Sequence, residues 1–205
     1  MSALNSWVLT SVADVKESLH ITGNSQDNLI IRKINQATDM IESYCGKNNS
    51  QHFINTLYSN EEYDGTGTNQ LILKNRPVLN VVKFDSRDTT LNHSDWTTIN
   101  SEWYFIDLTS GVIDSLINIL PSWNLYRVTY QAGFATIPSD LAEACVMLAC
   151  ALTENATGGN AIKSKSQGPK SISYYDNSQT SSLITQLGID DMLQRYTDVP
   201  ILADK

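Results

Sequence analysis

The sequence predicts an α+β fold. It is a small helical bundle, built from an αα-hairpin and a central small-residue helix, with an inserted antiparallel β subdomain and an extended C-terminal arm that ends in a short helix. Three observations carry this. Apolar residues recur at helical spacing before residue 46 and again after Pro138, short aromatic and β-branched runs fill the interval, and residues 157–182 are too polar to build a core.

Val12, Val15 and Leu19 follow Thr10 and Ser11 at helical spacing, and Asp14 stands three residues after Ser11 as in a capping box, so residues 11–20 read as a helix. Ser25 or Asp27 can cap a second helix, whose stripe is Ile30, Ile34, Ala37, Ile41 and Tyr44 or Cys45, and Gly46 ends it. These two helices form the expected hairpin.

From about residue 53 the runs Phe53–Tyr58, Gln70–Lys74, Val78–Phe84, Glu102–Asp107, Gly111–Ile113 and Leu125–Tyr130 predict five to six strands. Asp64-Gly-Thr-Gly-Thr-Asn and Ser110-Gly111 carry turn chemistry, and Arg76-Pro77 sets an extended or edge position. Tyr126, Val128 and Tyr130 alternate with Arg127, Thr129 and Gln131 until Gly133 breaks the pattern.

Pro138 then opens a third helix, with Asp140 and Glu143 near its positive end and an interior rich in Ala142, Ala144, Cys145, Ala149, Cys150 and Ala151. Small residues allow close helix approach, so this helix belongs at the centre of the bundle. Leu183, Ile184, Leu187, Met192, Leu193 and Tyr196 predict a last short helix, bent near Gly188. The expected organisation is a helical hairpin over 1–52, a β insertion over 53–135, a central helix over 136–160, and an arm with a terminal helix over 161–205.

The chain has 205 residues, 41% of them hydrophobic, enough for a sizeable core and against a disordered chain. Its 14 Lys and Arg against 22 Asp and Glu give a net charge of -8, which argues against a protein whose main task is neutralising phosphates. An acidic wall can still line a passage through which DNA slides without sticking. Cys45, Cys145 and Cys150 form no CxxC pair and read as small buried hydrophobes of a reduced, cytoplasmic protein. The N-terminus lacks a secretory pattern, and no apolar run is long enough to span a bilayer, so neither secretion nor a membrane anchor is expected.

Convergent catalytic chemistry is missing from the sequence. His20, His52 and His93 have no metal-ligand spacing, and the Asp64–Asn69 glycines lack the Lys-Ser/Thr of a phosphate loop, so a hairpin turn is the better reading there. Glu61, Glu62 and Asp64 read as a solvated strand and turn, and Trp96, Trp103 and Trp123 as sheet packing. Residues 163–175 differ: Lys163, Lys165 and Lys170 stand with no acid in an acidic chain, followed by Ser171, Ile172, Tyr174 and Tyr175. They are either a solvated linker or an arm that orders against an acidic partner or a neighbouring subunit, by strand addition of Ser171–Tyr175.

Taken in order, Leu9 to Lys16, Ile41 to Gly46, Glu62-Tyr-Asp-Gly-Thr-Gly, Leu73 to Val78, Val128-Thr-Tyr-Gln-Ala-Gly through Leu141, and Lys163 to Tyr174 make the chain resemble the head-tail adaptor proteins of long-tailed bacteriophages, also called head-completion or connector proteins. The resemblance spans most of the chain. It implies a structural virion protein with no catalytic residues and no cofactor or metal, forming a ring, typically of twelve copies, beneath the portal protein. Such a ring completes the head, extends the DNA channel toward a stopper or tail-completion protein, and lies close to packaged DNA without specific contacts. The expected place is the neck of the virion, after assembly in the host cytoplasm. The expected partner-binding residues are Lys163, Lys165, Lys170, Ser171, Ile172, Tyr174, Tyr175, Leu193 and Tyr196. Two other readings are a neck or tail-completion ring one layer lower, and a carbohydrate- or ligand-binding module that uses the tryptophans of the β insertion.

Overall fold

The computed structural model describes residues 2–47, 51–88, 95–116, 120–121, 124–157, 164–167, 170–173 and 180–197. It is a mixed fold of helices and antiparallel sheets, in two compact units: Met1–Gln51 with Ile137–Lys205, and His52–Thr136.

In the first unit, α1 (Val12–Ser18) starts with a full capping box. The Asp14 N–H donates to Ser11 Oγ, and the Ser11 N–H donates to Asp14 Oδ2, both at 3.2 Å. That arrangement satisfies two N–H groups the first turn would otherwise leave open. Lys16 at the end of α1 reaches Asp27 at the start of α2 (Asp27–Tyr44) with a 2.9 Å ion pair. Helix α2 has no side-chain cap, because Gln26 and not Ser25 or Asp27 occupies the cap position.

Ile30, Ile34, Ala37, Thr38, Ile41 and Cys45 of this stretch are fully buried, whereas Tyr44 stays half-buried. They face α3 (Ser139–Thr157), of which Leu141, Ala144, Cys145, Leu148 and Ala149 are fully buried. The small side chains let α2 and α3 come close enough for Thr38 Oγ1 and Cys145 Sγ to lie 3.6 Å apart. After two short antiparallel strands, Ser164–Gln167 and Lys170–Ser173, come α4 (Thr180–Gln186), α5 (Asp190–Leu193) and a 3₁₀ turn, Gln194–Tyr196. Gly188, at a φ of 68°, turns the chain between α4 and α5. Leu183, Ile184, Ile189 and Leu193 are all buried, so the C-terminal helices complete the core of this unit.

The second unit holds strands β1 (Thr56–Asp64), β2 (Gln70–Ile72), β3 (Val78–Asp88), β4 (Thr97–Thr98), β5 (Tyr104–Asp107), β6 (Val112–Ser115) and β7 (Asn124–Ala132). They form a four-stranded sheet in the order β1-β7-β3-β4 and a three-stranded sheet in the order β2-β6-β5, with every named pair antiparallel. The two sheets share one core of Leu71, Leu73, Ile113, Phe84, Tyr126, Val128 and Tyr130. Phe84 of one sheet meets Tyr104 of the other edge-on, with ring centroids 5.3 Å apart.

One expectation needs correcting here. Asp64–Asn69 does not close a hairpin, because β1 pairs with β7 and β2 with β6, so the segment passes from one sheet to the other. The physical reason lies in β7: its buried Tyr126, Val128 and Tyr130 make it the central strand, and it takes β1 on one side and β3 on the other. Ser110-Gly111, by contrast, does turn β5 into β6, with Gly111 at a φ of 69° donating to the Asp107 carbonyl at 2.8 Å. The strand β4 has only two residues, too few to carry a period in the sequence.

Candidate assembly surfaces

The lysine-rich segment folds back on itself. Strands β8 (Ser164–Gln167) and β9 (Lys170–Ser173) form a two-stranded antiparallel ribbon that pairs Lys165 with Ile172, Ser166 with Ser171 and Gln167 with Lys170. Lys163, Tyr174 and Tyr175 lie outside the described residues. Two-stranded ribbons in general are marginal in water and gain from a surface to lie on.

The other two expected partner residues are held by the helical unit. Leu193 is fully buried, and its carbonyl accepts a 3.9 Å contact from the Cys45 thiol, so its side chain serves the core of its own unit. Tyr196 donates a 2.6 Å hydrogen bond to Asp140 Oδ1 in the first turn of α3, and Arg195 pairs with Asp140 Oδ2 at 3.1 Å. The Tyr196 hydrogen bond, above all, holds the Asp140 carboxyl below its ordinary value. Burial, followed by its bond to Asp140, pushes the Tyr196 phenol up to about 12.

In the β unit two polar clusters were not foreseen. Asp85 is 1% exposed and accepts from Arg127 Nε at 2.7 Å, Lys83 Nζ at 2.9 Å and Thr98 Oγ1 at 2.8 Å. Burial works to raise its pKa, but the hydrogen bonds from Lys83, Arg127 and Thr98 win and leave it lowered. The Trp96 ring has the guanidinium groups of Arg127 and Arg87 at 4.5 and 4.8 Å from its centroid.

In the second cluster, Tyr63 and Tyr130 both donate to Glu61 Oε2, the former at 2.6 Å, and Asn75 Nδ2 donates to the Tyr130 oxygen at 2.8 Å. Burial is the main cause that raises both tyrosine pKa values, so both phenols stay protonated as donors. Little in the sequence signals either cluster, since Asp85 stands between Phe84 and Ser86 and Glu61 between Asn60 and Glu62. Their partners come from strands far apart in the chain.

Among the described residues, no group of three or more His, Cys, Asp or Glu could hold a metal ion. Burial pushes the Cys145 and Cys150 thiols up to about 11, well away from nucleophilic thiolate at neutral pH. No helix among the described residues is long and apolar enough to cross a membrane. His93 and Trp123 lie outside the described residues; Trp103 is 50% exposed.

A further surface is the outward face of the β2-β6-β5 sheet, where Phe105, Leu116, Trp103 and Ile72 are 61, 64, 50 and 42% exposed. Exposed large apolar groups gathered on one sheet face mark a contact surface more often than chance scatter does.

Comparison with known proteins agrees with a fold of this kind. The family model described as head completion protein matches residues 8–184. The chain is similar in fold to a chain in the virion of a native gene transfer agent (GTA) particle, with a TM-score of 0.61 at 17% identity, covering 100% of this chain and 96% of that one. It is also similar to a chain in the neck of a native GTA particle computed with C12 symmetry, with a TM-score of 0.58 at 18% identity over 100% and 96% of the two chains. The neck of an empty GTA particle computed with C6 symmetry gives a TM-score of 0.58 at 18% identity over 94% and 91%. No curated protein sequence matches the chain.

Proposed function

The chain belongs to the head completion protein family, and from that premise we propose that it is a structural, non-enzymatic virion protein that forms a ring beneath the portal, completes the head and joins it to the tail. The observation that carries this reading is the family match over residues 8–184, which takes in both the helical and the β unit. The fold likeness to chains described as parts of a GTA neck supports the same placement, and the C12 symmetry named for one of them supports a ring of twelve copies.

On this reading the α1–α2 hairpin and α3 build the ring, and the β unit is an insertion in it. Lys163, Lys165, Lys170, Ser171, Ile172, Tyr174 and Tyr175 form the arm that meets partners, with Tyr196 at its far end and Leu193 supporting it from the core. A repeated weak contact gains avidity once the first copies dock on a preassembled portal. The net charge of -8 suits a channel wall that passes DNA without holding it. The stopper or tail-completion protein binds the opposite side of the ring, and assembly takes place in the host cytoplasm.

The test is reconstitution with purified portal, followed by electron microscopy of the complex and of virions. A ring on the tail-facing side of the portal is the expected result. A ring that binds tail tube and not portal moves the protein one layer down, and absence from virions overturns the reading.

A further inference from the structure

We propose that the outward face of the β2-β6-β5 sheet is the seat for the lysine-bearing β8–β9 ribbon of a second copy of this chain, an inference that rests on the ring reading above. Cross-strand partners in an antiparallel sheet share a face, and so do alternate residues along a strand. The pairs Phe105 with Asp114, Asp107 with Val112, Ile72 with Val112 and Gln70 with Asp114 therefore gather on one side. Gln70 Nε2 donates to Asp114 Oδ1 across that side at 2.8 Å. Leu116 donates its N–H to the Trp103 carbonyl at 2.9 Å, which continues the ladder and adds Trp103 and Leu116 to the same face. The opposite face, with Leu71 and Ile113, is spent on the core.

The face is therefore apolar with a single sign of charge. Among the residues named for this face, the charged ones are Asp107 and Asp114. Asp107 is kept ionised by a 2.7 Å bond from the Ser110 hydroxyl and a 2.9 Å bond from the Thr109 N–H. A complementary occupant needs cations beside an apolar residue. Residues 163–173 supply three lysines, an isoleucine and no acid, in a chain where acids outnumber cations 22 to 14.

Each copy carries one such face and one such ribbon, so the contact is heterologous and can repeat around a closed ring. Desolvated charge pairs across it would set which surface is chosen, while Phe105, Trp103 and Leu116 supply the buried area. Docking would also provide the support that a two-stranded ribbon lacks alone.

The experiment places p-benzoylphenylalanine at Phe105 in the full chain and irradiates an equal mixture of ordinary and ¹⁵N-labelled copies, both on the portal and as concentrated free chain. Mass spectrometry of the crosslinked peptides should find position 105 joined to residues 163–173 with the two isotopes mixed. Crosslinks confined to one copy, running to the portal or to another segment, or missing from both samples, overturn the proposal. In parallel, Asp114→Lys should lower ring yield at least tenfold with unchanged circular dichroism, and Lys165→Glu with Lys170→Glu in the same chain should restore it. Full yield from Asp114→Lys alone, or no rescue, refutes the contact. A ring that forms on the portal without the 105-to-ribbon crosslink sinks only this inference, whereas the crosslink in free chain with no portal binding sinks only the proposed function.

Discussion

The phenol of Tyr196 donates to the carboxylate of Asp140 across 2.6 Å, and so pins the last 3₁₀ turn to the first turn of α3. The two residues are 56 positions apart. Because α3 begins with a positive dipole end, Asp140 is favoured there as an anion, and the Tyr196 bond adds to that preference.

Replacing Tyr196 with Phe should cost about 1 kcal/mol at neutral pH, the net worth of one such bond at a partly exposed site. The pH dependence has a defined sign. Asp140 has a lowered folded pKa, so its stabilisation is complete above the unfolded carboxyl value near 4 and is lost as pH falls through the folded value. Tyr196 is raised to about 12, so its share is present below about 10 and lost as pH climbs through 12. Urea unfolding at pH 3, 7 and 11 should show the wild-type advantage at pH 7 shrink toward either extreme.

Gly133 offers a sharper test of backbone geometry. It sits at a φ of 106°, and a Cβ there would stand 2.6 Å from the Ile54 carbonyl carbon and 2.8 Å from the Phe53 carbonyl oxygen. Gly133→Ala should destabilise the β unit by more than about 2 kcal/mol, since strain and backbone collision add. Gly67 has a φ of 71° and nothing within 4 Å of a new Cβ, so Gly67→Ala should cost only about 1 kcal/mol. Equal thermal shifts in the two variants would contradict the packing described.

Most of the helical architecture was legible because its signals are local. The Ser11 and Asp14 box, the Ile30 to Ile41 stripe and the small residues of α3 all act within a few turns, and each lies where the pattern put it. The strands were legible as runs, but their pairing was not, since β1 finds its partner β7 some 60 residues on, and nothing in Asp64–Asn69 reports that. The same reason hid the sheet face: Trp103 and Leu116 become neighbours only through the β5–β6 pairing. The lysine run was visible from composition alone, yet its ribbon was not, because serines and lysines carry little strand preference.

Asp85 should prove the most sensitive polar residue of the β unit. Asp85→Asn leaves the partly exposed Arg127 and Lys83 without their shared buried anion, at a cost of about 2 kcal/mol. Its folded pKa is lowered, so the wild-type advantage holds above pH 4 and fades as pH falls through the folded value. Trp96 fluorescence reads the change directly, because Arg127 stacks on that ring.

Leu193 and the two described lysines of the ribbon separate folding from docking. Leu193 is fully buried, as are Ile184 and Ile189 of the same unit, so Leu193→Ala removes core contacts and leaves a cavity, a change worth about 2–4 kcal/mol. On the proposed function the β8–β9 ribbon serves docking, so Lys165→Glu with Lys170→Glu should leave the melting temperature within about 1 °C of wild type. Assembly should respond in the opposite order. At a temperature where Leu193→Ala is still folded, it should join the portal complex at near wild-type yield, while the lysine variant should lose most of its yield. Differential scanning calorimetry beside a pull-down on portal measures both quantities on the same samples. A lysine variant that melts early, or that assembles normally, would mean that the ribbon belongs to the fold and not to the interface.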